Sequence, residues 1–121
     1  MEVLADSLPQ RTLGSRSGLL HQAFVRDMLL NNSSLGFASL CGAVINARVP
    51  DFQRIHVPFL IICGDEDTLA PSEKTFPIFR KIGSRRKGME VLGGVGSWHC
   101  IGASDEISKF ILDFTQTFRD D

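Results

Sequence analysis

The sequence predicts an α/β fold in which a helical segment comes first and two parallel strands with flanking helices follow. Three observations carry this reading. Phe59 to Cys63 form an unbroken apolar run, which suits a strand covered on both faces as parallel strands under helices are. The first fifty residues repeat apolar side chains at helical spacing and carry no strand pattern. After the apolar run, a short helical pattern leads to a second strand at Met89–Leu92 and a glycine-rich loop. That is the order of a parallel pair joined by a helical crossover.

Val3, Leu4 and Leu8 give one face of a short helix that Pro9 is expected to stop. Leu20, Phe24 and Met28 recur every four residues, with Arg26 and Asp27 off the stripe, and predict an amphipathic helix over 19–30. Asn31 to Ser34 is a loop ending in a capping residue. Phe37, Leu40, Cys41, Val44 and Ile45 predict a second helix, ended by Pro50. Residues 1–50 thus make a helical segment, and 51–121 a strand–helix–strand–helix unit.

Pro58 opens the first strand, where no ladder N–H is needed. Gly64 closes it, and Asp65, Glu66 and Asp67 crowd its carboxyl end. A helix around Phe76–Ile82 is expected next, closed by Gly83. Pro77 belongs in its first turn, because an interior proline costs about 3 kcal/mol. Beyond Met89–Leu92 and the loop from Gly93 to His99, Ser104 is expected to cap a last helix. Asp105 and Glu106 in its first turn complement its dipole, and Ile107, Phe110, Ile111, Phe114 and Phe118 form its inner face.

With 121 residues the prior is one domain or part of one. A net charge of −1 gives no basic surface for nucleic acid, and Arg85-Arg86-Lys87, between Gly83 and Gly88, reads as a solvated turn. Cys41, Cys63 and Cys100 are odd in number and widely spaced, so reduced, buried thiols in a cytoplasmic protein are expected rather than disulfides or a zinc site. The N-terminus lacks a basic and an apolar signal region, and no apolar run has the roughly 20 residues of a membrane span. His21 and His56 have no metal-ligand spacing, and Gly94-x-Gly96 lacks the surroundings of a dinucleotide loop, so neither metal nor organic cofactor is expected.

Parallel strands joined by a helix deliver their carboxyl ends to one edge. Asp67 follows the first strand and His99 the second, so both belong on one rim. An acid that orients an imidazole is two-thirds of a Ser-His-Asp system. Asp65 and Glu66 read as turn formers and surface charge, and Cys100 as a buried structural cysteine.

The stretches A-F-V-R-D-M-L-L, G-F-A-S-L-C-G-A-V, V-P-F-L-I-I-C-G-D-E-D-T-L-A-P and G-V-G-S-W-H-C-I-G-A-S-D-E together resemble the C-terminal half of an α/β-hydrolase. Within that family the chain is most similar to the 3-oxoadipate enol-lactonase-like group. The resemblance implies that residues 1–50 are lid, that 51–121 belong to the core, and that the complete form hydrolyses a small carboxylic ester or lactone. It implies Asp67 as the orienting acid and a histidine from the 97–99 loop as base, with no cofactor.

The family's serine sits on a G-x-S-x-G elbow. The nearest string here, Gly14-Ser15-Arg16-Ser17-Gly18, has arginine at its centre and no strand before it. The nucleophile is therefore expected outside this chain, and the chain alone is expected to be inactive. The family's histidine directly follows a glycine, whereas Ser97 follows Gly96 here and His99 lies two residues further on, up to about 7 Å of chain. Two readings stay open: His99 serves as the base, or Ser97 has replaced it. The alternative to a hydrolase part is a catalytically inactive fragment or short isoform that acts by binding, and an exposed sheet edge invites homo-oligomerisation.

Overall fold

The computed structural model describes residues 1–118; the last three residues of the 51–121 unit lie outside the described residues. Eight elements of α-helix and strand follow one another: α1 (Glu2–Thr12), α2 (Leu19–Leu30), α3 (Ser34–Ile45), β1 (Phe59–Gly64), α4 (Ser72–Lys81), β2 (Lys87–Leu92), α5 (His99–Gly102) and α6 (Ser104–Gln116). A single 3-10 turn, Phe52–Arg54, precedes β1. The fold is mixed helix and strand, and its two strands run parallel, Phe59 opposite Lys87 through Gly64 opposite Leu92.

Two small cores hold it. Ala5, Val25 and Leu29 are buried where α1 meets α2, with Leu8, Phe37, Trp98 and Ile101 packed around them. Leu92, Val95, Ala103 and Ile107 form the second, against Ile62 and Phe110, and attach α6 to the sheet. Trp98 and Ile101 come from the chain after β2, so this one segment ties the helical part to the strands.

Several local expectations change. Pro9 lies inside α1 and is buried, and the helix runs on to Thr12 because a proline deletes one backbone hydrogen bond without removing those that follow; Leu13 still donates to the Pro9 carbonyl at 3.0 Å. Pro77 is interior to α4, which begins four residues earlier than expected, at Ser72, where the Pro71 carbonyl accepts from Lys74 and Thr75. Ala103, not Ser104, holds the N-cap position of α6 and offers no side-chain cap; Asp105 and Glu106 do sit in the first turn. β2 starts at Lys87 rather than Met89.

The inward face of α2 also differs. Val25 is 0% and Leu29 4% exposed, while Leu20 is 85% exposed and Phe24 and Met28 also face outward. The helix carries two apolar stripes, and α1 takes the other one. α3 buries none of its residues; Leu40, Val44 and Ile45 are exposed and Phe37 alone reaches the core. Cys41 and Cys100 are exposed as well, and only Cys63 is buried as expected. Burial pushes the Cys63 thiol up, against a lowering contact from Thr75, and the Asp67 charge pushes it the same way as burial.

The basic turn is not uniformly solvated. Lys87 sends its Nζ to the carbonyls of Phe79 (2.8 Å) and Ile82 (2.7 Å) and lies over the Phe79 ring. Those carbonyls lie at the negative, C-terminal end of α4, so a cation is stabilising there. Arg86 stacks over Phe118. Among the described residues no single helix is long and apolar enough to cross a membrane; α2 and α3 reach that composition only as a pair bent by 96°.

Candidate functional site

The site is built by the two chain segments that leave the parallel strands. Asp65 N–H extends the ladder to the Leu92 carbonyl at 3.0 Å, and Glu66 N–H reaches the Val95 carbonyl at 3.0 Å. Asp65 Oδ1 accepts from Gly94 N–H at 2.7 Å, which folds the glycine-rich loop back over the strand ends. Asp65 is thus a loop former.

Asp67 is 8% exposed. Its Oδ1 accepts from the N–H groups of Leu69 (2.8 Å) and Ala70 (3.0 Å), an Asx-type turn that fixes the carboxylate above the end of β1. The third donor comes from the other loop: Ser97 Oγ–H donates to the same oxygen at 2.5 Å. Burial alone pushes the Asp67 carboxyl up. The Ser97 hydroxyl, the two N–H groups and the charge of His99 outweigh it, and the carboxyl titrates below the usual aspartate range.

His99 begins α5 and makes no hydrogen bond to Asp67. Its Nδ1 lies 3.1 Å from the Ser97 carbonyl. A carbonyl only accepts, so Nδ1 carries the proton and Nε2 is the basic nitrogen of the neutral ring. The ring lines a shallow apolar cleft of about 320 Å³ with Leu60, Ile62, Ile107 and Phe114. The acid and the imidazole therefore share a rim while Ser97 holds the position next to the acid.

The end of α1 and its connection to α2 complete the rim, a role the sequence analysis did not assign to them. Ser97 N–H donates to the Thr12 carbonyl (2.8 Å), and Trp98 Nε1–H to Thr12 Oγ1 (2.7 Å). Ser15 gives Glu66 both its N–H (2.6 Å) and its hydroxyl (2.7 Å). Arg16 N–H reaches the Gly94 carbonyl at 3.0 Å, and its guanidinium pairs with Glu106. Gly14 is pressed so closely on Gly94, Val95 and Gly96 that a Cβ there would collide with their backbone. The rejected elbow string is thus a latch on the rim. The signal for it was the density of small residues at 14–18, matched by small residues at 93–97.

Among the described residues no three His, Cys, Asp or Glu side chains gather as a metal ion requires. No protein-family model, curated protein or solved structure matches the chain.

Proposed function

We propose that this chain supplies the lid and the acid-and-histidine rim of an α/β-hydrolase whose complete form cleaves a small carboxylic ester or lactone. The observation that carries the reading is the meeting of Asp67, at the exit of β1, with the residue directly after Gly96, at the exit of β2. In the resembling family that second position belongs to the histidine. An acid held ionised there would fix the imidazole's tautomer, and the imidazole would take the proton of a serine from outside the chain. The α2–α3 pair would roof the acyl pocket with its exposed apolar side chains.

Ser97 favours a second reading, in which the rim has kept its geometry and given up the base. A hydroxyl cannot accept and return a proton near neutral pH as an imidazole does. Both readings expect no turnover of a small activated ester such as p-nitrophenyl acetate by the 121-residue chain. Turnover abolished by Asp67→Asn would overturn that expectation. Ser97→His tests the rim itself: on a hydrolase rim the new imidazole pairs with Asp67, whereas on an unrelated loop it titrates at its ordinary value.

A further inference from the structure

Among the described residues β1 has one strand neighbour, and its other edge is open. Phe59 and Asp65 donate their N–H groups to Arg86 and Leu92, which puts the odd-numbered residues of β1 on the β2 side. In a parallel ladder the main-chain groups of Leu60 and Ile62 then point the other way. Among the described residues nothing outside the strand pair bonds to them. β2 holds two charged residues, Lys87, whose ammonium is bound at the end of α4, and Glu90. β1 has neither charge nor proline between Phe59 and Gly64.

The area points the same way. A compact monomer of 13.4 kDa exposes about 6,500 Å². This chain exposes 8610 Å², an excess of about 2,100 Å² spread over the whole chain, α2 and α3 included, where a stable interface needs roughly 800 Å² from each partner. Beside the open edge, Leu60, Ile62, Ile107, Ile111 and Phe114 leave an apolar cleft uncovered. A row of free N–H and C=O groups is satisfied by another strand and not by a lipid surface.

We infer that β1 pairs with β1 of a second copy of this chain, antiparallel across a two-fold axis at Ile61. A two-fold contact closes on itself, so it gives a dimer with one continuous sheet and no fibre. The register follows from the strand's ends. Centring on Leu60 would set Ile62 opposite Pro58, which has no N–H. Centring on Ile62 would use Gly64, which the Val95 backbone crowds and whose carbonyl already accepts from Asp67 N–H. Centring on Ile61 lets Leu60 of each copy exchange both main-chain bonds with Ile62 of the other. The inference concerns the 121-residue chain and does not rest on the hydrolase reading, because the open edge is read from the strand pairing and not from the rim.

Light scattering after size exclusion on the full chain should give twice the chain mass. In a Cys41→Ser/Cys100→Ser background, Ile61→Cys should oxidise to a covalent dimer, since its two Cα atoms would lie about 4.5 Å apart. Leu60→Cys should not, its pair lying beyond the roughly 7 Å limit. A monomer, an open-ended aggregate, or cross-linking at 60 instead of 61 would overturn the proposal. So would a monomer that sediments with phosphatidylcholine vesicles, which would give the apolar face to lipid. The titration of Ser97→His reads the rim separately from all of these.

Discussion

Ser97 donates its hydroxyl to Asp67 Oδ1 at 2.5 Å, a side-chain bond that ties the acid after β1 to the loop after β2. Two backbone N–H groups hold the same oxygen, so the carboxylate is fixed before any imidazole meets it. The acid is ionised and oriented, and the group it orients is a hydroxyl.

Asp67→Asn should make folding less dependent on pH. The folded carboxyl titrates below its unfolded value of about 3.9, so its contribution is complete above that pH and disappears as pH falls through the folded value. Urea unfolding should favour the wild type by about 1–2 kcal/mol at pH 7, and the gap should shrink as pH falls below the unfolded value of about 3.9. A gap that stays constant across that range would show that the charge contributes nothing.

Ser97→His should place an imidazole beside that carboxylate. The ring's pKa, followed by proton NMR, should rise above about 6.5, because an adjacent negative charge favours the protonated form. The stabilisation this adds is complete below about pH 6.5 and is lost as pH rises through the elevated value. Adding Asp67→Asn should return the ring to its ordinary titration.

Thr12→Val should release the indole. Trp98 is the sole tryptophan of the chain, and its Nε1–H bonds to Thr12 Oγ1. Removing the acceptor while keeping the volume leaves a half-buried donor unpaired, at about 1–3 kcal/mol. The cost should appear in thermal unfolding, with a red shift of the native emission as water reaches the ring.

Gly14→Ala should detach the latch. The added methyl has backbone on its far side, which cannot rotate away as a side chain would, so about 1–3 kcal/mol is expected. Hydrogen exchange should quicken at Ser97 and Arg16, whose N–H groups bond across this contact, and remain slow in β1.

Much of the architecture was legible in the residues. The five-residue apolar run gave β1 and its parallel partner, and the four-residue stripe gave the span of α2, because strand and helix periods are properties of neighbouring residues. Which stripe faces inward is decided elsewhere: α2 has two, and α1 covers Val25 and Leu29 instead of Leu20 and Phe24. Pro9 and Pro77 misled because a proline inside a helix removes one backbone bond and leaves those that follow in place.

The order of Asp67 after one strand and His99 after the next was enough to put both at one end of the sheet. It took the folded chain to bring Thr12, Ser15 and Arg16 onto that rim and to set Ser97, not His99, against the acid. The physical reason is distance along the chain. Hydrophobic periodicity repeats within a few residues and can be counted, whereas a hydrogen bond between positions 12 and 97 leaves no local trace in either segment.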